Sequence, residues 1–393
     1  MKFIHTADWH LGKLVQGVYM TDDQRFALEQ LLEAVERERP DAVVIAGDLY
    51  DRAVPPTEAV ELLDETLSRL VIGLDTPVIA VAGNHDSPDR IRFGSRLMAG
   101  RGLHLAGRYD PDAEPVRLRD AHGEVHFHLL PYCDPSAVRL ALGDETIRTH
   151  DDAMRAAAAR LAERLDPSAR HVLVGHAFVT PGGRPQDNTS DSERPLSIGG
   201  AEHVDARHFE PFHYAALGHL HQAHWVGRES VRYAGSPLKY SVSEERHRKG
   251  YLVVELDADG AASTEQRLIE PRRDMRRVSG YIRDIEAAET SDDYVFVTLL
   301  DDNPVLFPME KVRASYPNAL HVERRPAAPP AVAGGAAEAA AAAGEQGARR
   351  ASDPASLFEG FYREVRGTEL SESKKRLFQE VCGRVLGAEE AAG

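Results

Sequence analysis

The sequence predicts an α/β sandwich. Short apolar runs such as Ala42–Ala46 and Pro77–Ala82 are typical of strands that are buried on both faces. Between them lie segments with apolar residues at helical spacing, over Asp22–Glu38 and after Pro55 and Pro56. Because strands and helices alternate along the chain, we expect helices packed against a largely parallel sheet.

The same pattern continues beyond these elements. Further strands are predicted over Phe3–Thr6, Val125–Tyr132, His171–Val174, Tyr214–Leu217 and Val231–Ala234. An alanine-rich helix is predicted over Asp151–Leu165. Residues 178–200 are rich in Pro, Gly, Ser, Asn and Asp, which predicts a long loop.

With 393 residues, the chain exceeds the size at which one hydrophobic core usually stops growing. We expect a main domain over 1–260 and a small α+β domain over 267–325, with strands at Tyr294–Leu300 and Val305–Pro308. The Pro, Ala and Gly of residues 326–354 predict a flexible linker, since they cannot bury enough apolar surface to fold alone. Two amphipathic helices are predicted over 355–388, which either dock on the parent domain or bind a partner.

Composition gives weaker indications. The formal net charge of −16 argues against a nucleic-acid partner, although a metal site or a local basic face can offset it. Two basic clusters, Arg246–Lys249 and Arg272–Arg277, are either such a face or ordinary solvated loop charge. Cys133 and Cys382 indicate neither a disulfide framework nor a zinc site. We expect no membrane segment and a cytoplasmic location.

Five short segments carry side chains that bind metals: D-W-H-L-G, G-D-L-Y-D-R, G-N-H-D, V-G-H-A and G-H-L-H. The candidate ligands are Asp8, His10, Asp48, Asn84, His176, His219 and His221. Each motif alone is weak, because a lone histidine is more often structural. Most of the five follow a predicted strand, however, and strand ends converge in the crevice of an α/β sheet. Together they predict one two-metal site.

The ligand types indicate which chemistry such a site performs. Oxygen and imidazole ligands without a thiolate suit Mn²⁺, Fe²⁺ or Zn²⁺ in expanded coordination, rather than a structural zinc site. Two such metals lower the pKa of bound water and stabilise the phosphoryl oxygens, which is what hydrolysis of a phosphodiester requires.

The ordered motifs resemble the calcineurin-like metallophosphoesterase superfamily. The segments D-R-A-V-P-P, G-N-H-D-S, S-E-R-P-L-S-I-G-G and G-S-P-L-K-Y-S resemble more closely the SbcD branch, the bacterial members of the Mre nuclease family. This resemblance implies a four-layer α/β sandwich with a small α+β capping domain and a tethered C-terminal helix pair. It also implies two divalent metal ions, with Mn²⁺ as the expected metal.

The resemblance implies roles for individual residues. One metal is expected on Asp8, His10, Asp48 and His221, and the other on Asp48, Asn84, His176 and His219. His85 is expected to be the catalytic acid for the leaving oxygen. Asp51 is expected to orient His85, although some archaeal relatives carry His at that position.

The resemblance further implies DNA as the substrate. The expected activities are 3′→5′ double-strand exonuclease, single-strand endonuclease and hairpin cleavage, in DNA-end processing, repair and recombination. It implies an ABC/SMC-type ATPase partner, SbcC, bound by the C-terminal helices. It also implies a homodimer within a heterotetramer, through helices near Glu58–Leu70 and Pro88–Leu97, in the nucleoid. Two alternatives stay open: a small-molecule phosphodiesterase acting on cyclic nucleotides, and a non-catalytic DNA-end tether.

Overall fold

The computed structural model describes residues 1–183, 190–193 and 202–325, and in the C-terminal region Phe358, Tyr362, Ser371 and 374–378. The chain divides into two units, Met1–Ala327 and Ala328–Gly393. The predicted linker over 326–354 lies outside the described residues, as does most of the predicted helix pair over 355–388.

The first unit contains the strands and helices that position the candidate ligands. The strands are β1 (Lys2–Thr6), β2 (Leu14–Val15), β3 (Val18–Tyr19), β4 (Ala42–Ala46), β5 (Val78–Val81), β6 (Leu103–Ala106), β7 (Val116–Asp120), β8 (Gly123–Leu130), β9 (Arg170–His176), β10 (Val179–Thr180), β11 (Val204–Asp205), β12 (Tyr214–Gly218), β13 (His224–Val226), β14 (Arg228–Tyr233), β15 (Gly250–Leu256), β16 (Ala262–Leu268), β17 (Met275–Gly280), β18 (Tyr294–Leu299) and β19 (Ala319–Arg324). The α-helices are α1 (Thr21–Glu38), α2 (Thr57–Ser68), α3 (Pro88–Arg92), α4 (Ser95–Met98), α5 (Pro135–Leu142), α6 (His150–Ala162), α7 (Ile282–Glu286) and α8 (Pro308–Ser315). Within the described ranges, every helix is too short or too polar to cross a membrane.

Two six-stranded sheets form the main body. The first has the order β16-β15-β1-β4-β5-β6, in which β1, β4, β5 and β6 run parallel. The second has the order β13-β14-β12-β9-β8-β7, in which the four central strands run parallel. Central strands such as β4 and β9 are buried along their whole length, as expected for parallel strands covered on both faces.

The sheets pack face to face and carry helices on their outer faces. Between the sheets, Phe3 of the first packs edge-on against Phe127 of the second, with ring centroids 5.5 Å apart. On the outer face of the first sheet, Val43 and Ile45 pack against α1 and α2. On the outer face of the second, Leu173 packs against α6. The layers are therefore helix, sheet, sheet and helix, and the predicted α/β sandwich is confirmed.

The small domain is a three-stranded parallel sheet, in the order β17-β18-β19, with α7 and α8 packed on it. The predicted strand at Val305–Pro308 is wrong: Pro308 opens α8, a position where its missing N–H costs no hydrogen bond. The boundary at residue 260 also differs, because β16 pairs with β15 and extends the first sheet to Leu268. The small domain contacts the main domain where Tyr294 of β18 donates a hydrogen bond of 2.7 Å to Asp23 of α1.

Candidate metal centre

All seven candidate ligands lie at the carboxyl ends of parallel strands. Asp8 and His10 follow β1, and Asp48 and Asn84 follow β4 and β5 in the same sheet. The second sheet supplies the other three: His176 ends β9, and His219 and His221 follow β12. Because the two sheets are stacked with these edges together, segments far apart in sequence meet in one place.

The first group of donor atoms is centred on His10. The Nε2 atoms of His10 and His221 are 3.1 Å apart, and Asp48 Oδ2 is 3.5 Å from His10 Nε2. Donor atoms of Asp8, His10 and His221 all lie within 4.8 Å of one another. These side chains are buried, and the structure brings together the four residues expected to share the first metal.

The second group is centred on His176. Its Nε2 lies 3.4 Å from Asp48 Oδ2 and 2.9 Å from Asn84 Oδ1. The same Asn84 oxygen is 3.3 Å from His219 Nδ1. Asp48 Oδ2 therefore faces both groups, which is the position that a bridging carboxylate must take.

These spacings fit metal ions. Two ligands bound at about 2.0–2.1 Å to one ion, with an angle of about 90–110° between them, lie roughly 2.9–3.4 Å apart. The separations in both groups, from 2.9 to 3.5 Å, fall in or beside this range. The oxygen and imidazole donors, without a thiolate, also suit divalent metal ions.

The backbone at this edge is strained. Asp8, His10, Asp48 and His219 have φ values of 54°, 45°, 50° and 114°, a region that residues other than glycine rarely adopt. Next to Asp48, Gly47 has a φ of 91°, and a Cβ there would lie 2.2 Å from His176 Nδ1. Strain of this kind persists only where the surrounding structure imposes it, and it is concentrated at functional sites.

The charges of the cluster are coupled. Burial raises the pKa of Asp8 to about 7. Burial also disfavours the charge of Asp48, but attraction to His176 and His10 is stronger and holds the pKa of Asp48 well below its usual range. The same attraction outweighs burial at His176 and raises its pKa to about 9. A divalent cation that binds Asp48 and His176 must displace the proton that the raised pKa keeps on the His176 ring. Metal binding and proton release are therefore linked.

His85 lies at the rim of the cluster, with its ring centroid 4.7 Å from that of His10. Its Nδ1 donates to the main-chain carbonyl of Asp51 at 2.8 Å. The hydrogen bond from His85 to Asp51 therefore uses the Asp51 backbone rather than its side chain, although a carboxylate oxygen of Asp51 also lies within 4.8 Å of a His85 nitrogen. The Asp51 carboxylate forms an ion pair of 2.8 Å with Lys13 and lies 3.7 Å from His10 Nδ1. The contact from Asp51 to the His85 ring therefore comes from the backbone carbonyl, while the carboxylate binds Lys13.

Asp86, the last residue of G-N-H-D, was not among the predicted site residues. Its buried carboxylate accepts hydrogen bonds from the backbone N–H groups of Leu49, Tyr50 and Gly83, at 3.1, 2.9 and 2.9 Å. It thereby joins the loops that carry Asp48 and Asn84. The sequence signal for Asp86 was its place in the motif. Residue type gives no further help, because an Asp that binds backbone amides looks the same in a sequence as an Asp that binds a metal.

Glu193 and Glu244 were missed as well. The Glu193 carboxylate accepts from the backbone N–H of His221 at 2.7 Å, and Glu244 Oε1 lies 3.0 Å from His221 Nδ1. Glu193 belongs to the S-E-R-P-L-S-I-G-G segment, and Glu244 follows G-S-P-L-K-Y-S closely. Those two segments marked the family, but nothing in them showed that both carboxylates would reach one histidine.

Several residues of the two basic clusters are paired with carboxylates inside the protein. The pairs are Lys249–Glu244 at 2.5 Å, Arg273–Asp23 at 3.2 Å, Arg276–Asp293 at 2.7 Å and Arg277–Glu245 at 3.2 Å. Lys249 is buried, so it is neither solvated loop charge nor part of a nucleic-acid face. These pairs remove much of the positive charge that the sequence offered for binding DNA.

Comparisons with known proteins agree with this geometry. A family model described as calcineurin-like phosphoesterase matches residues 1–223, and one described as type 5 capsule protein repressor C-terminal domain matches residues 271–366. The SbcD subunit of the nuclease SbcCD from Staphylococcus epidermidis is 35% identical over 324 residues, which cover 81% of this chain and 84% of that protein. The crystal structure of TT1561 from Thermus thermophilus matches 67% of this chain and 98% of that one, at 12% identity and a TM-score of 0.37, a similarity too low to bear on fold or function.

The fold, the cluster and the match over residues 1–223 define the class: the chain belongs to the calcineurin-like phosphoesterase family. Within that family it is an SbcD-type nuclease, as the similarity over 81% of the chain and the second matching domain show. The predicted family is therefore confirmed.

Proposed function

We propose that this chain hydrolyses DNA phosphodiesters at a two-metal site occupied by Mn²⁺. The observation that carries the proposal is the position of Asp48, whose Oδ2 faces His10 at 3.5 Å and His176 at 3.4 Å. A single carboxylate oxygen that faces one set of histidine and carboxylate donors and one set of histidine and carboxamide donors would suit two cations.

The residues that would hold the metals fall into two sets with Asp48 in common. The sets are Asp8, His10, Asp48 and His221, and Asp48, Asn84, His176 and His219. When bound, two divalent ions lower the pKa of a water molecule and stabilise the charge of the phosphoryl oxygens. Hydrogen bonds hold the candidate ligands in place. The backbone N–H of His219 donates to Asp8 at 2.9 Å, and Nδ1 of His176 donates to the Ala46 carbonyl at 2.9 Å.

His85 is suited to protonate the leaving oxygen. Because Nδ1–H donates to the Asp51 carbonyl, Nε2 is the ring nitrogen left for a substrate, and it can give up a proton when both ring nitrogens are protonated. The backbone N–H of His85 donates to Asp48 Oδ1 at 2.9 Å, which fixes the ring relative to the bridging carboxylate. His85 thus lies beside the residues that would hold the metals and is proposed to act as the acid rather than as a metal ligand.

The test is a nuclease assay with Mn²⁺ on a DNA hairpin, a duplex with free ends and a single strand, with and without SbcC. We expect 3′→5′ degradation of the duplex and cleavage of the hairpin and the single strand. A matched assay with Mg²⁺ alone tests the metal. Failure to cut any of the three substrates, in either metal and with SbcC present, contradicts the proposal.

A phosphodiesterase acting on cyclic nucleotides is the second candidate, since the same metal site would serve it. The small domain and the C-terminal region argue against it, because a small substrate needs neither. Faster hydrolysis of a cyclic nucleotide than of a DNA hairpin would favour this alternative. The non-catalytic tether is tested by the same assay, since it predicts binding of DNA ends without cleavage.

For the partner, we propose that the C-terminal region binds the ATPase SbcC. Supporting this, the rings of Phe358 and Phe378 stack with centroids 4.0 Å apart and an interplanar angle of 3°, and Lys374 lies 4.8 Å from the Tyr362 ring. The stacked rings bring the two predicted amphipathic segments together, and docking of an apolar helix face into a groove is a common mode of partner binding. Deleting residues 355–388 should abolish co-purification with SbcC while leaving Mn²⁺ binding unchanged. With chromosomal DNA as substrate, we place the enzyme at the nucleoid, in the cytoplasm.

We also propose a homodimer formed through α2, α3 and α4. Ile72, Phe93 and Leu97 are 80%, 84% and 85% exposed, and with α2 they line an apolar groove of about 1220 Å³. An exposed apolar patch of this kind marks an interface. In sedimentation analysis, Leu97→Glu should convert a dimer to a monomer, whereas Leu140→Glu, at an equally exposed leucine elsewhere, should not.

A further inference from the structure

A buried carboxylate and a buried lysine lie directly behind His221. Glu244 ends a single 3₁₀ turn, Val242–Glu244, and its side chain is inaccessible to solvent. Lys249 precedes β15 and is also buried. Neither residue belongs to the set of candidate metal ligands, so their placement needs a separate explanation.

The contacts form a network around one histidine. Glu244 Oε1 lies 3.0 Å from His221 Nδ1, and Glu244 Oε2 lies 2.5 Å from Lys249 Nζ. Ser192 Oγ donates to Glu244 Oε1 and lies 2.9 Å from His221 Nδ1, so that nitrogen has two acceptors, one of them the carboxylate. Lys249 also donates to the His221 carbonyl and to Ser236 Oγ, each at 2.8 Å. The three donors of the ammonium group are thus all used, and two of its three partners are His221 itself or the carboxylate that contacts His221.

This network decides which nitrogen of His221 faces the metals. An imidazole whose Nδ1–H donates to a carboxylate leaves the lone pair on Nε2. His221 Nε2 is the atom that lies 3.1 Å from His10 Nε2, inside the cluster. A carboxylate on the far nitrogen also makes the imidazole a stronger metal ligand, and such partners commonly change metal affinity about 10–100-fold.

Stability alone does not explain the pair. Removing two charges from water costs about as much as their attraction returns, so a buried ion pair is weak evidence of a stabilising role. Lys249 instead supplies the positive charge that balances the buried Glu244 carboxylate behind His221. The hydroxyl of Ser190 donates to the same carboxylate at 3.0 Å, which further restricts it.

We propose that Glu244 is a positioning residue that fixes the tautomer and orientation of His221, and that Lys249 holds the Glu244 carboxylate in place and balances its charge. This inference rests on the proposed two-metal site. It assigns to Glu244 a role in binding one metal only, the one shared by Asp8, His10 and His221.

The experiment measures Mn²⁺ binding to the full-length, metal-stripped protein by isothermal titration calorimetry, together with the thermal midpoint of the metal-free protein. The variants are Glu244→Gln and the double variant Glu244→Gln with Lys249→Met, which removes both charges. Glu245→Gln is the matched control, because Glu245 is the next residue but binds Arg277 rather than His221.

We expect Glu244→Gln to weaken one of the two Mn²⁺ sites about 10–100-fold and to leave the other unchanged. The double variant should unfold at the same temperature as the wild type or higher, with the weakened site still weak. Glu245→Gln should bind both ions as the wild type does. This combination separates a role in metal binding from a role in folding.

Three results would overturn the inference. If Glu244→Gln binds both ions with wild-type affinity, Glu244 does not position His221. If both sites weaken equally and recover in the double variant along with the thermal midpoint, the pair is structural. If calorimetry detects no Mn²⁺ binding to the wild type and none to His219→Ala, the proposed two-metal function fails together with this inference.

Discussion

The two ends of the sandwich use the same kinds of side chains for opposite purposes. At the carboxyl ends of the parallel strands, Asp8 and Asp48 are buried among histidines on strained backbone. At the other end, the Asp120 carboxylate binds the Arg170 guanidinium at 2.5 and 3.0 Å and also contacts the amino group of Met1. Because Met1 lies beside the first sheet and Asp120 in the second, this cluster joins the two sheets.

The difference lies in how the charges are satisfied. At the Arg170 end, each charge has a partner within the chain, and Arg170 also donates to the Asp257 and Gly123 carbonyls at 3.0 and 3.2 Å. At the metal end, the donors face one another at distances of 2.9–3.5 Å, which suit ligands that share a divalent cation. Local rules of stability are broken at functional sites and obeyed elsewhere, and this molecule shows both cases in one pair of sheets.

The largest effect is expected for His85→Gln, which removes the proton donor without removing a metal ligand. Nuclease turnover should fall about 10²–10⁴-fold, as is typical for loss of a general acid. Mn²⁺ binding and the thermal midpoint of the metal-free protein should not change. A variant that loses Mn²⁺ as well as turnover would show that His85 is a ligand, and the distinction between it and the cluster would be lost.

At the opposite end, Arg170→Met should leave Asp120 with the Met1 amino group as its one close charge partner among the described residues. The free energy of unfolding, measured by urea denaturation, should fall by about 3 kcal/mol. The reason is that the largely buried Asp120 carboxylate loses the guanidinium that balances its charge. Turnover of the folded fraction should equal that of the wild type. Loss of Mn²⁺ affinity in this variant would mean that the two ends are coupled.

A smaller effect is expected for Asp51→Ala. The carbonyl that binds His85 belongs to the backbone and survives the substitution. Turnover should therefore fall less than about tenfold, by an amount that reflects the lost ion pair with Lys13. Lys13→Met should reproduce the same reduction. A fall as large as that of His85→Gln would restore the side chain as the orienting group.

The smallest effect is an acid dependence of stability. Hydrogen bonds from Arg170, with help from the Met1 amino group, hold the pKa of Asp120 well below its usual range. A lowered folded-state pKa gives stability that is present above the unfolded value near 4 and is lost as the pH falls through the folded value. Asp120→Asn should remove about 1 kcal/mol of this acid-dependent change, measured as unfolding free energy between about pH 5 and 3.

Much of the site could be predicted from the sequence because its ligands stand in short motifs at strand ends. The seven residues from Asp8 to His221 were predicted and are brought together. His85, the residue after Asn84, was singled out by the resemblance to the family. The carboxylates that support these residues could not be found in the same way, because Glu244 and Asp86 act through contacts that depend on the packing of loops far apart in sequence.

The fold shows the same division. Buried parallel strands were predictable, since a continuous apolar run such as Ala42–Ala46 has few alternatives. The strand at Val305–Pro308 was wrong, because a short apolar run beside a proline fits a helix start equally well. The edge strand β16 was missed because its sequence, A-S-T-E-Q-R-L, is mostly polar and contains no apolar run.

By itself, the sequence determined the two-sheet class, the candidate ligands and the family, because these depend on local order and on motifs. Only the tertiary structure decided which side of Asp51 faces His85, which lysine is buried, and which carboxylates lie behind the ligands. Hydrogen bonds of about 3 Å are set by the relative placement of whole strands and loops, and no local pattern of residues encodes that placement.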